Sequence, residues 1–147
     1  MFMRCDGQRW CDMFAGSGAI GLEALSRGAK EVVFIEKDKE ALDIVKSNIQ
    51  RCKMENQSFV VHEDALIYSQ KQPNLESFDV IFADPPYDLS LKSLIDSIRN
   101  TSWYDKDTIF VFERHAQENT DLLKESFNIL KQRKVGQSQY VVAKIKV

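Results

Sequence analysis

Cysteine is scarce in this sequence. Cys5, Cys11 and Cys52 are odd in number and form no Cys-x-x-Cys pair or Cys/His cluster. That argues against a disulfide framework and a zinc centre, so no metal is expected, and it fits a reducing cytoplasm. Long apolar runs are missing as well. None approaches the about 18 residues of a membrane span, and the N-terminus has no apolar signal core, so no membrane association is expected. Charge of one sign is also lacking: 20 Lys and Arg against 22 Asp and Glu leave a net charge of -2. Such a balance gives no global pull toward nucleic acid, and a nucleic-acid partner would need a local basic patch or a segment outside this chain. Internal repeats and low-complexity tracts are absent. What remains is an ordinary globular composition, 44% hydrophobic and 29% charged. Its length suits a single domain over residues 1–147 with one core.

Apolar runs and helical spacings alternate along the chain. After a patternless leader (1–8), strands are expected at 10–14, 31–36, 58–62, 78–83 and 108–113. Helices are expected from the glycine-rich segment to about 27, at 39–52, from 65 to about 70, around 91–98 and at 121–126. Leu42, Val45, Ile49 and Cys52 recur at helical spacing, which marks a core-facing stripe. A loop with Pro73 fills 71–77. Strands at 128–133 and 139–147, turned at Val135-Gly136-Gln137, have no helix between them and must pair antiparallel. Strands alternating with helices mean right-handed crossovers, hence an α/β, doubly wound, mostly parallel seven-stranded sheet with an antiparallel edge hairpin.

Only three prolines occur, and two of them are adjacent, in Asp84-Pro85-Pro86-Tyr87. They follow a buried strand, stop it abruptly and hold the backbone extended. The Pro85 carbonyl is left free to accept a hydrogen bond. Two acceptors, that carbonyl and Asp84, then flank a flat apolar platform, Tyr87. Such a corner suits a planar group bearing an NH2, as a nucleobase does; a stiff surface turn is the alternative.

Asp12, Glu36, Asp64 and Asp84 all fall near expected strand ends, where ligands of doubly wound sheets bind, and are expected to face one crevice. Each could instead cap the helix that follows it. Gly16-x-Gly18-x-x-Gly21 after a strand is a dinucleotide fingerprint, and Glu36, twenty residues beyond Gly16, is placed to read a ribose hydroxyl. By itself this fits a nicotinamide- or flavin-dependent oxidoreductase. Asp12 opposes that, because a pyrophosphate at the loop would meet a like charge. S-adenosylmethionine has a ribose and an adenine, no phosphate, and a cationic sulfonium and ammonium. It suits Asp12, the loop Ala15-Gly16-Ser17-Gly18, Glu36, and Asp64 with Ala65 around the adenine.

The stretch from Asp12 to Ala29 resembles the cofactor loop of the bacterial 16S ribosomal RNA guanine-N2 methyltransferases, and Asp84-Pro85-Pro86-Tyr87 resembles their catalytic motif. Phe112-Glu113 and Gly136-Gln137-x-x-Tyr140 match in order and spacing, so the similarity runs from about Trp10 to the C-terminus. It implies a Rossmann-like class I methyltransferase domain. S-adenosylmethionine would be converted to S-adenosylhomocysteine, and ribosomal RNA or a small-subunit assembly particle would be the substrate. Asp84, Pro85, Pro86 and Tyr87 are expected to be catalytic. The tetrapeptide also occurs in DNA adenine-N6 and other amino methyltransferases, which stay open as alternatives. Members of the family usually carry a further N-terminal basic hairpin and helix that close the cofactor site and contact RNA. This chain starts almost at the first strand, and its affinity for RNA is expected to suffer. Lys131, Arg133, Lys134, Lys144 and Lys146 near the terminal hairpin form either an RNA patch or a solvated edge. Arg114-His115 follows the fifth strand near the crevice and is expected in a solvated loop, with phosphate contact as the alternative.

Overall fold

The computed structural model describes residues 4–147; the first three residues of the leader lie outside them. The chain divides into two compact units, Met1–Ala65 and Leu66–Val147.

The first unit contains β1 (Arg9–Asp12), α1 (Ala19–Ser26), β2 (Glu31–Glu36), α2 (Lys39–Arg51), a single 3₁₀ turn (Glu55–Gln57) and β3 (Ser58–His62). The strands are parallel in the order β3-β2-β1, with Asp12 beside Phe34 and Glu36 beside His62. All four central residues of β2, Val32 to Ile35, are buried. A strand covered on both faces reads as a continuous apolar run, and that is why β2 is legible without alternation. α2 is capped by Asp38, whose side chain accepts from Ala41 N at 3.2 Å, and turns Leu42, Val45 and Ile49 inward. Glu40 in its first turn and Arg51 in its last complement the helix dipole. Cys52 departs from expectation. The helix ends one residue earlier, Cys52 becomes its C-cap, and its side chain is exposed.

α1 stops in a Schellman turn. Gly28 N donates to Leu25 O and Ala29 N to Ala24 O, at 3.1 and 3.0 Å, with Gly28 at φ 102. Gly21 on the same helix meets a closer constraint. A Cβ there would run into the Phe34 ring and stand 2.9 Å from Val32 Cγ1. The third glycine of the loop therefore lets the helix lie directly on β2.

The second unit takes α3 (Ala65–Lys71) from Leu66 onward, then β4 (Val80–Ala83), α4 (Leu91–Arg99), β5 (Ile109–His115), α5 (Leu123–Ser126), β6 (Phe127–Val135) and β7 (Ser138–Ile145). Its strand order is β4-β5-β7-β6. β4 and β5 are parallel, and β7 runs antiparallel to both β5 and β6. The last strand therefore lies inside and its predecessor outside. Burial explains the choice: Gln139, Val141 and Ala143 of β7 are buried, whereas β6 is almost wholly exposed beyond Phe127. Phe127 packs edge-on against Phe110 and Phe112, with ring centroids 5.0 and 5.3 Å away. Trp103 is buried, donates to Gln72 O at 2.8 Å and meets Phe78 edge-on, so it belongs to the core. The fold is thus α/β and doubly wound, a mostly parallel seven-stranded sheet with an antiparallel edge hairpin. Among the described residues no helix is long and apolar enough to cross a membrane.

Gly21→Ala should destabilise the protein by about 2 kcal/mol, the usual cost of overpacking a close contact. Urea denaturation checks this, and an unchanged midpoint would show that the helix can lift from β2 freely.

Candidate functional site

β1, β2 and β3 end on the same side because they are parallel neighbours. Asp12 is the last residue of β1 and is 2% exposed. Glu36 is the last residue of β2, and its carboxylate ties two loops together. One oxygen accepts from Gly16 N at 2.8 Å and the other from Asp38 N at 2.9 Å. Ala15 N donates to Ile35 O and Gly18 N to Ala15 O, at 2.9 and 2.8 Å, which draws the glycine loop back onto β2. Gly16 adopts φ 58, and a Cβ on it would find nothing within 4 Å. The loop thus rises into open space. Ser17 is exposed, and its carbonyl accepts from Asn48 Nδ2 at 2.9 Å. Asp64 follows β3 by two residues, its amide held by Glu63 Oε1 at 3.1 Å, and Ala65 is buried at the start of α3. The eight residues assigned to a cofactor in the sequence therefore gather at one end of the first unit.

Capping does not account for these acids at α1 or α2. α1 begins at Gly18 with no side-chain cap, and α2 is capped by Asp38. The donor set also tests the ligand. A carboxylate offers about four acceptor positions, and Glu36 spends two on backbone amides. The remainder match the two hydroxyls of a ribose. Asp12 and Asp64 beside the loop suit a cationic ligand and oppose a pyrophosphate. S-adenosylmethionine fits this donor set.

The second unit holds the other group. Asp84 follows β4 directly. The pairing of Ala83 with Phe112 sets Asp84 beside Glu113, and Glu113 is paired in turn with Tyr140 on β7. Pro85 is buried; Pro86 and Asp84 are exposed. Leu89 N donates to the Pro86 carbonyl at 3.0 Å. Among the described residues none donates to the carbonyl of Pro85, which stays open as expected. Tyr87 is 95% exposed, its ring clear of the core.

Arg114 is a correction. It lies within β5 and is buried, not solvated in a loop. Its Nε and Nη2 donate to Glu118 at 2.6 and 2.9 Å, and Nη2 also donates to Leu89 O at 3.2 Å. It pins the segment that follows the double proline to β5. Gln139 extends the tie, donating to His115 O at 2.9 Å and Glu118 O at 2.8 Å. Glu113, Tyr140 and the tether through Arg114 went unassigned in the sequence. An acid closing a strand was the available signal, but its neighbours depend on register.

Partial desolvation at the end of β4, although the Asp84 side chain keeps contact with solvent, and the adjacent Glu113 carboxylate push its pKa from 3.8 up to about 6, with the Arg114 guanidinium opposing. Burial and then the Glu113 and Asp84 charges raise the Tyr140 pKa. Among the described residues no group of three or more His, Cys, Asp or Glu is arranged for a metal ion.

A family model described as conserved hypothetical protein 95 matches residues 2–144. The chain belongs to that family. Ribosomal RNA small subunit methyltransferase D of Haemophilus influenzae, one of its relatives, is 33% identical over 131 residues, which are 88% of this chain and 67% of that protein. The protein of the same name from Buchnera aphidicola is 30% identical over 132 residues, 89% of this chain and 68% of the relative. The chain thus spans about two thirds of the length of the curated relatives it matches. A solved structure described as a conserved hypothetical protein of Streptococcus pyogenes superposes with a TM-score of 0.87 at 27% identity, covering 96% of this chain and 88% of that one.

An acid whose pKa is raised on folding holds its proton more tightly in the folded state. Its contribution to stability therefore falls as pH rises from 3.8 to about 6. Carboxyl-carbon NMR should give Asp84 a midpoint near 6, lowered in Glu113→Gln, and Asp84→Asn should remove the associated decline in stability. A midpoint at or below the ordinary value would disprove the crowding of the two acids.

Proposed function

We propose that residues 1–147 form one methyltransferase domain that transfers a methyl group from S-adenosylmethionine to the exocyclic N2 amine of a guanine in small-subunit ribosomal RNA. The observation that carries this is the Asp84 corner: a carboxylate and an open backbone carbonyl, stiffened by two prolines, beside an exposed aromatic ring. Family membership and the names of the relatives support the methyl-transfer chemistry and ribosomal RNA as the partner class. The nicotinamide alternative is opposed by Asp12 beneath the loop, where a pyrophosphate would meet a like charge, and by the Asp84-Pro85-Pro86-Tyr87 corner.

S-adenosylmethionine, when bound, supplies an electrophilic methyl carbon on a sulfonium and leaves as S-adenosylhomocysteine. Asp12, Ala15, Gly16, Ser17, Gly18, Glu36, Asp64 and Ala65 would hold it, Glu36 through the ribose and Asp64 with Ala65 around the adenine. Asp84 and the Pro85 carbonyl accept the two N–H bonds of the amine. An exocyclic amine is a poor nucleophile while its lone pair is delocalised into the ring. Gripping both hydrogens turns that lone pair out of the ring and toward the methyl. Positioning for an in-line displacement is then most of the catalysis. The nitrogen gains positive charge as the new N–C bond forms, and the Asp84 carboxylate stabilises that charge where it develops. With its pKa raised to about 6, Asp84 is ionised at neutral pH and basic enough to take the proton released by the methylated nitrogen. Tyr87 stacks on the base, worth about 1–3 kcal/mol. The base enters unpaired or flipped out. The protein works in the cytoplasm on ribosomal RNA or on an assembling small subunit.

Tritiated-methyl transfer to ribosomal RNA and to assembling small subunits, with mass spectrometry of the nucleosides, should give N2-methylguanosine. Asp84→Ala should lower transfer by about a hundredfold or more and leave cofactor affinity nearly unchanged. A different methylated nucleoside would refute the guanine assignment, and full activity in the variant would remove Asp84 from the mechanism.

A further inference from the structure

Glu113 has a surrounding that the chain itself does not explain. It sits at the level where β4 gives way to Asp84, because Ala83 pairs with Phe112 one residue earlier. Adjacent strands lie about 4.8 Å apart, so two carboxylates stand side by side. On the other flank Glu113 is paired in register with Tyr140, whose phenol feels the Glu113 charge. Ser138 Oγ donates to Glu113 Oε2 at 3.3 Å. Asp84, Glu113 and Tyr140 thus form a row across three neighbouring strands.

Among the described residues Glu113 makes no ion pair; Arg114 beside it donates through Nε and Nη2 to Glu118 and Leu89 O, and its charge acts on Asp84. Two adjacent acids without a shared cation repel one another and raise the cost of ionising either. The hydrogen bond to its side chain from Ser138 Oγ leaves most of the acceptor capacity of this half-buried carboxylate unspent.

An acceptor row of this kind matches an edge that presents N–H groups in succession. Guanine carries N1–H directly beside its two N2–H bonds. Adenine and cytosine carry a ring-nitrogen lone pair next to the amine, and that lone pair would face a negative charge here. We infer that Glu113 accepts the N1–H of the target guanine while Asp84 and the Pro85 carbonyl hold its amine, so that Glu113 selects guanine over the other amino-bearing bases. This rests on the guanine-N2 assignment proposed above and adds the residue that enforces it.

The test compares an RNA oligonucleotide containing the target guanine with one carrying 2-aminopurine there. 2-Aminopurine keeps the 2-amino group but has a lone pair at N1. Methyl transfer by the full chain should favour guanine by about a hundredfold or more, as expected when a polar site loses its partner. Glu113→Gln conserves shape and can donate to the N1 lone pair. It should slow guanine, speed or spare 2-aminopurine, and narrow the ratio at least about tenfold. A purely structural role for Glu113 would lower both substrates together and leave the ratio unchanged, which overturns the inference. Equal rates of the unsubstituted protein on both oligonucleotides overturn it without any variant, and leave the methylation of guanine N2 intact. Transfer to neither base refutes the guanine assignment and this inference with it.

Discussion

Strands covered on both faces can carry charge only where they stop. Val32 to Ile35 of β2 and Val80 to Ala83 of β4 are all buried. A charged side chain in either run would cost several kcal/mol without a partner. The acids appear at the strand ends: Asp12, still buried, and Glu36 close β1 and β2, and Asp84 follows β4. Parallel neighbours end on the same side, so the acids of each unit cluster without any residue being recruited from a distance. The site is in this sense a consequence of how the sheet buries its strands.

Stiffness is added by a second set of interactions, different in each unit. In the first, Glu36 spends two acceptor positions on Gly16 N and Asp38 N, which sets the loop before any ligand arrives. In the second, the double proline restricts the backbone and Arg114 ties the following segment to β5 through Leu89 O. A group already held in its working geometry loses little entropy on binding. The crowding of Asp84 and Glu113 runs the other way. It raises the Asp84 pKa and disfavours the ionised folded state. An unfavourable contact that survives beside an exposed aromatic and an open carbonyl has a natural use in receiving N–H donors.

The element order was legible in the sequence because each strand is a short apolar run between turn signals. β3 fell on its expected bounds, and α2 ended one residue early. That single residue moved Cys52 from the core stripe to an exposed cap. The glycine loop and the double proline were legible for a local reason: each depends on φ restrictions carried by the residues themselves. The burial of Arg114 is not legible locally, because it depends on Leu89, twenty-five positions earlier, and on a turn that returns Glu118 to it. Glu113 and Tyr140 were visible as a strand end and a strand start, but their adjacency comes from the pairing of β5 with β7. Register between distant segments is set by which faces are buried, and spacing along the chain does not reveal it.

The same acids bear on how a polyanion could be handled. Carboxylates at the ends of β1, β2 and β4 favour a cationic methyl donor and an amine, and they oppose a phosphate backbone. The net charge of -2 supplies no compensating field. In the proposed reaction the charge that holds the strand would therefore come from groups other than these acids. Lys131, Arg133 and Lys134 are exposed along β6, the outer strand of the second unit, with Lys146 exposed just beyond β7. A basic edge of this kind screens against strand pairing whatever else it does. In the proposed reaction it also offers phosphates an opposite charge. Sequence selection would then fall to the Asp84 and Glu113 row, because contacts to the backbone position a nucleic acid without reading it.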